Sequence, residues 1–200
     1  MAHRQALDEK TLRKLYIDEK KSDAQIAKIM HCSEHKVNYW LLRHVISKRS
    51  ISEAIYVQKN PRGDPFVFTQ PKNLDEARLF GLGVGLYWGE GNKVNKNIVK
   101  LGNSDPELIK TFIKFLKTFF KIDTRSLKFH LHLFSDINKE EALSYWMKEL
   151  KANRSQFYKP TITMSGKLGT YRKKSTYGVA TLYFANTKLR NIMVGLLNPT

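Results

Sequence analysis

Apolar positions along the chain form two groups of predicted elements, separated by a stretch rich in proline and glycine. Within residues 8–46, apolar side chains recur at three- and four-residue spacing in three short runs, which predicts three helices. Ser22 or Asp23 begins the second helix and Ser33 the third, because short hydroxyl and carboxylate side chains cap helix starts. The pattern therefore predicts a small three-helix domain over residues 1–55.

A second, larger domain follows the helix breakers of residues 56–72, which predict a linker. Alternation of polar and apolar residues over Lys128–Leu133 predicts a strand with one buried face. Two more expected strands, Thr161–Met164 and Tyr177–Ala185, should form a hairpin. Over residues 73–200 the predicted order is helix, strands, helix, strand, helix, strands, helix, which makes this domain mixed α+β.

Composition adds limits to this organisation. Apolar residues make up 42% of the 200 residues, enough for a core, and no apolar run approaches the ~18 residues of a membrane span. The one cysteine, Cys32, excludes an internal disulfide framework and a cysteine-rich zinc site; small apolar packing is favoured over a reactive thiol. No apolar stretch follows Met1–Gln5 as in a signal peptide, so we expect an intracellular protein.

The charge distribution indicates a polyanionic partner. The net charge is +17, and no Asp or Glu follows Glu149, although many Lys and Arg do. A one-signed segment of a folded chain favours a surface that faces nucleic acid. General solubility is the alternative, and an anionic membrane is disfavoured because no basic amphipathic helix stands out.

Three glycines at helical spacing, Gly81, Gly85 and Gly89, precede Glu90 in a predicted helix. Each interior glycine costs a helix roughly 1 kcal/mol relative to alanine, so we expect these glycines to serve close approach of a second helix. Glu90 lies at the carboxyl end, where the helix dipole disfavours a carboxylate. A cation would relieve that placement, and a metal ion is the leading candidate.

The nine residues Gly83–Gly91 resemble the motif of the LAGLIDADG homing endonucleases. The matching positions are Gly85, Leu86, Gly89, Glu90 and Gly91. The segment Leu101–Asp105, which leads into a predicted helix, also resembles one that this family often places after its first strands, and Ser104 is the expected cap of that helix. The resemblance extends over residues 73–200.

This resemblance implies a site-specific double-strand DNA endonuclease of the homing type, with a LAGLIDADG-like fold. It implies a homodimer packed through Gly81, Gly85 and Gly89, and a catalytic Mg²⁺ or other divalent ion bound by Glu90 with the Gly89 carbonyl. Lys188 matches the family's basic catalytic position, although a solvated surface lysine is the alternative. A second hypothesis is a DNA-binding transcriptional regulator, or an intron maturase, that keeps the fold without cleavage.

The amino-terminal domain resembles a helix-turn-helix module. Ala27, Cys32, Val37 and Trp40 occupy its packing positions, and its third helix would enter the DNA major groove. Protein binding by a small trihelical module is the alternative. The candidate DNA contacts on this helix are His35, Lys36, Asn38, Tyr39 and Arg43.

Further candidate DNA contacts lie in the second domain. The polar face of the strand at 128–133 could line a basic groove; a metal site from its two histidines, or simple exposure, are the alternatives. The loop between the last two strands carries further positive charge. The residues are Lys128, His130, His132, Lys167, Arg172, Lys173 and Lys174.

Overall fold

A computed structural model describes residues 6–165 and 175–198. It is mixed α+β, with eight α-helices and a four-stranded mixed sheet in those residues. The chain divides into two units between Pro65 and Phe66, which lies inside the range expected for the linker.

The first unit is entirely helical. A π-helical turn, Lys14–Asp18, continues the first helix, and hydroxyl or carboxylate side chains cap all four helix starts. Its core contains the fully buried Leu12, Ile26, Val37 and Leu41. The helices are α1 Glu9–Arg13, α2 Asp23–Ile29, α3 Glu34–Arg43 and α4 Ile51–Lys59.

The turn between α2 and α3 adopts a left-handed backbone. His31 has φ 48°, a conformation that favours glycine, and the Cys32 backbone N–H donates to the Ala27 carbonyl at 2.9 Å. Cys32 is half-buried against the core of this unit, as its interpretation as a small apolar residue requires. The turn therefore sets α3 against α2 through Ala27.

The three helices predicted over residues 8–46 are present as α1, α2 and α3, and a fourth helix that was not predicted, α4, follows at residues 51–59 across the expected domain boundary. Ser50 and Glu53 make a reciprocal capping box, in which the Glu53 carboxylate accepts from the Ser50 backbone N–H at 2.8 Å. At the other end of the expected linker, the Val67 N–H donates to the Phe120 carbonyl at 3.0 Å. Residues 60–73 follow α4 and belong to no helix or strand, although residues 67 and 69 are hydrogen-bonded to residues 120 and 119.

The second unit places helices on one face of its sheet. Strand order is β1-β4-β2-β3; β4 is antiparallel to β1 and β2, whereas β3 is parallel to β2. The elements are α5 Leu74–Glu90, β1 Val99–Asn103, α6 Pro106–Phe120, β2 Lys128–Phe134, α7 Lys139–Leu150, β3 Thr161–Thr163, β4 Val179–Phe184 and α8 Thr187–Gly195.

Three sequence-based expectations for this unit are wrong. The last two strands do not form a hairpin, because β2 lies between β3 and β4. The cap of α6 is Asp105 rather than Ser104, since the Asp105 carboxylate accepts from the Glu107 N–H at 2.8 Å. The predicted order has more than one strand between the first two helices of this domain, whereas the structure has β1 there and only an isolated bridge from Gly91 to Leu101.

A phenylalanine-rich helix, α6, is the centre of the second core. Gly83 of α5 lies directly on the ring of Phe115, and Tyr87 stacks on Phe112 with ring centroids 6.0 Å apart. Helix α7 packs beside α6, and the buried Trp146 donates its indole N–H to the Tyr177 carbonyl at 2.8 Å. The helix predicted over 138–151 thus contributes to this core.

Candidate functional site

Helix α3 carries a row of polar and apolar side chains on the side that faces away from the core of the first unit, which we call the outward strip. His35, Tyr39 and Arg43 are exposed, Lys36 is half-buried, and Leu42 is 69% exposed. These positions follow from helical periodicity, because Val37 and Leu41 point inward. Four of the five residues predicted to contact DNA therefore share one outward surface.

Asn38, the fifth, lies at the side of this strip and its amide is already engaged. Its Nδ2 donates to the Glu34 carbonyl at 3.1 Å, and its Oδ1 accepts from Lys48 Nζ. Lys48 also pairs with Asp23, with Nζ and Oδ2 3.1 Å apart. These two hydrogen bonds fix the orientation of the amide and leave one N–H and one oxygen lone pair for a base contact.

The glycines of α5 divide between two environments. A Cβ built on Gly81, Gly85 or Gly89 meets no atom of the described chain within 4 Å, whereas a Cβ on Gly83 would overlap Phe115. Leu82 and Trp88, 52% and 60% exposed, flank this surface, which we call the open glycine face. The packing of α5 on α6 therefore makes no use of Gly81, Gly85 or Gly89.

Glu90 ends α5 and is exposed. Within residues 6–165 and 175–198 its carboxylate makes no hydrogen bond or ion pair. The neighbouring Lys93 is not its partner, because Lys93 Nζ donates to the Trp88 carbonyl instead. An unpaired carboxylate beside the carbonyl end of a helix is an environment that a cation would stabilise.

The segment after Glu90 is tied to the start of α8. Arg190 donates through Nη2 to the Lys93 carbonyl, and Thr187 Oγ1 donates to Asn97 Oδ1 at 3.2 Å. Burial raises the pKa of Tyr87, with the Arg190 charge opposing that shift, and the Tyr87 hydroxyl donates to the Asn92 carbonyl at 3.0 Å. Lys188 lies exposed in this first turn of α8.

The face of the sheet away from the helices carries the polar side of β2. His130 Nε2 lies 3.0 Å from Thr161 Oγ1, and His132 Nε2 lies 2.7 Å from Thr163 Oγ1. Burial, together with the nearby His132 and Lys100, holds the pKa of His130 below its usual 6.5. The histidines and Lys128 therefore line one surface, the open sheet face.

Two further residues of the open sheet face, Lys100 and Tyr183, are not identified by the sequence analysis. Lys100 of β1 and Lys128 of β2 both lie opposite Tyr183 of β4, and Lys100 Nζ is 5.3 Å from the Tyr183 ring centroid. Alternation in Val99-Lys100-Leu101 would have placed Lys100 on the polar side. The alignment of all three residues depends on strand order, which sequence periodicity does not give.

The basic loop residues Lys167, Arg172, Lys173 and Lys174 lie outside the described residues. In the part of the chain that is described, no three His, Cys, Asp or Glu side chains are grouped so that they could hold a metal ion.

Among the same residues, no helix combines the length and apolar character needed to cross a membrane.

Comparison with known proteins finds no matching family model, no matching curated protein and no matching solved structure.

Proposed function

We propose that this chain is a metal-dependent DNA endonuclease of the homing type, which acts as a homodimer on double-stranded DNA. The LAGLIDADG-like arrangement of the second unit and the helix-turn-helix role of the first unit belong to the same proposal. The observation that carries it is the open glycine face of α5, which ends at the exposed Glu90.

The open glycine face supports association with a second copy. Three glycines cost the helix roughly 1 kcal/mol each, and Gly81, Gly85 and Gly89 bring no packing benefit within residues 6–165 and 175–198. A second α5 could approach closely along this face and cover Leu82 and Trp88. A two-fold axis running along the helix pair would bring both Glu90 side chains to the same end.

The donor set at that end fits a hard divalent cation. Glu90 offers a carboxylate and Gly89 a backbone carbonyl, and Mg²⁺ takes oxygen ligands of both kinds. One carboxylate per chain makes a sparse site, so the proposal requires the dimer. When bound, Mg²⁺ supplies water activation and charge stabilisation at a phosphodiester. Lys188 is proposed to assist from the first turn of α8.

Two basic surfaces support DNA as the substrate. The outward strip of α3 carries Lys36 and Arg43, and the open sheet face carries Lys100 and Lys128. Lysine and arginine side chains bind phosphates through charge, whereas a helix in the major groove reads base edges. We therefore assign sequence reading to α3 and a broader backbone contact to the sheet.

Cleavage of a random-site DNA library by the full-length protein tests the proposal. Wild type should cut in Mg²⁺, and Glu90→Gln should abolish cutting while dimerisation and DNA affinity persist, because an amide oxygen binds the ion more weakly. Gly85→Leu should give monomers, since the leucine side chain separates the two helices. Glu140→Gln, at an exposed carboxylate of α7, is the matched control and should cut normally.

The second candidate function is a DNA-binding regulator or intron maturase that does not cut. The geometry of α3 and of the open sheet face favours it, because both surfaces can bind DNA with no metal. Tight, site-selective binding without nicking in Mg²⁺ or Mn²⁺ would refute the nuclease and leave this alternative.

A further inference from the structure

Arg43, the last residue of α3, is held by a side chain one turn earlier. Its Nε donates to the Tyr39 hydroxyl at 3.0 Å, and its Cζ lies 5.6 Å from the Tyr39 ring centroid. Residues four apart share one side of a helix, so the contact lies on the outward strip. Because only Nε is used among the residues that the structure describes, both Nη groups of the guanidinium fork are left to face a ligand.

Tyr39 is itself braced against the core of the first unit. Its ring meets Trp40 edge to face at 5.4 Å, and Trp40 stacks on His44 with centroids 5.3 Å apart. The His44 ring is fixed in turn, since Nε2 lies 2.8 Å from the Leu7 carbonyl oxygen. A connected row of rings therefore fixes the position of the Tyr39 hydroxyl.

The charge of Arg43 is not neutralised by a carboxylate in the described chain. Two other basic residues of the unit are paired with carboxylates: Arg13 Nε lies 2.7 Å from Glu9, and Lys48 Nζ lies 3.1 Å from Asp23. Arg43 differs from them, because its guanidinium is oriented by a neutral hydroxyl and keeps its full charge.

We infer that Tyr39 orients Arg43 to read a guanine in the DNA major groove. The inference rests on the proposed helix-turn-helix role of the first unit. The two Nη groups match the O6 and N7 acceptors of guanine, a bidentate geometry that lysine lacks. Asn38, which could read adenine, has both ends of its amide engaged by Glu34 and Lys48.

The test uses the full-length protein and sites selected from a random duplex library. Dissociation constants are then measured by fluorescence anisotropy on the selected duplex, on base-substituted duplexes, and on duplexes with 7-deazaguanine, which lacks N7. The variants are Arg43→Lys, which keeps the charge, and Tyr39→Phe, which keeps the ring. Arg13→Lys is the matched control, and thermal unfolding checks that each variant folds.

Wild type should prefer guanine at one position of each half-site by about tenfold or more. Arg43→Lys should lose that preference and become insensitive to 7-deazaguanine there, while the salt dependence of non-specific binding stays unchanged. Tyr39→Phe should lose part of the preference, since the fork is no longer held, and Arg13→Lys should match wild type.

A selected site without guanine, or a guanine preference that survives Arg43→Lys, would overturn the inference and leave the DNA-binding role intact. Failure of the wild-type protein to bind any duplex would instead overturn the proposed function together with it.

Discussion

Neighbouring glycines in α5 should respond in opposite directions to the same substitution. Gly83→Ala and Gly85→Ala change the same helix by one methyl group each, two residues apart. Gly83 is buried against α6, whereas Gly85 belongs to the open glycine face. The pair therefore separates the effect of backbone propensity from the effect of packing.

The distances set the expected magnitudes. A Cβ on Gly83 would lie 2.2 Å from Cγ and 2.7 Å from Cβ of the fully buried Phe115, whereas carbon atoms pack at about 3.5–4.0 Å. Overpacking of this kind costs typically about 1–3 kcal/mol, although the overlap here is severe. Apart from the adjoining helix backbone, no atom of the described residues lies within 4 Å of a Cβ built on Gly85, so alanine should stabilise the fold by up to roughly 1 kcal/mol.

Urea unfolding followed by circular dichroism measures these differences. Protein concentration should be lowered until the midpoint no longer changes, because association adds to apparent stability. Hydrogen exchange of peptides from α5 and α6 then assigns the change to the second unit. Equal destabilisation by both substitutions would mean that Gly85 is packed within the chain, and a neutral Gly83→Ala would contradict the contact with Phe115.

Two further predictions concern a strained backbone and a titrating side chain. Val45 has φ 52° although it is β-branched and 84% exposed, so Val45→Gly should raise the unfolding free energy by about 1 kcal/mol, and Val45→Ala by less. The pKa of His130 is lowered in the fold by burial and then by His132 and Lys100, so below pH 6.5 the unfolded chain binds more protons. The contribution of His130 to the free energy of unfolding should be present above pH 6.5 and lost as the pH falls through the lowered pKa. The urea midpoints of His130→Gln should therefore fall less on acidification than those of wild type.

Local patterns predicted much of the secondary structure. Alternation placed Phe129, Leu131 and Leu133 on the buried face of β2, and helical spacing placed Trp146 inward on α7. The start of helix α4 could also be predicted from the sequence, because Ser50 and Glu53 have the spacing of a capping box. The helix was missed because its mostly exposed side chains form no strong apolar stripe, and because the helix breakers from residue 56 onward indicate a linker.

Contacts between distant segments were not predictable in the same way. Periodicity states which face a residue occupies and leaves the neighbouring strand open, so the parallel pairing of β2 with β3 was missed. The same holds at the candidate site. Glycines were identified in α5, but only the position of Phe115 separates Gly83, which the core requires, from Gly85, which it does not.

The place of β4 in the sheet has a consequence for synthesis of the protein. Of the described strands, β4 is the last to leave the ribosome, yet it lies between β1 and β2 and supplies the hydrogen bonds that join them. Until residues 179–184 are available, β1 lacks its one partner among the described strands, and the edges of β1 and β2 that β4 covers stay open. The second unit therefore cannot complete its sheet from the amino end onward, and nascent chains that stop before Val179 present unpaired edges of the kind that promote aggregation.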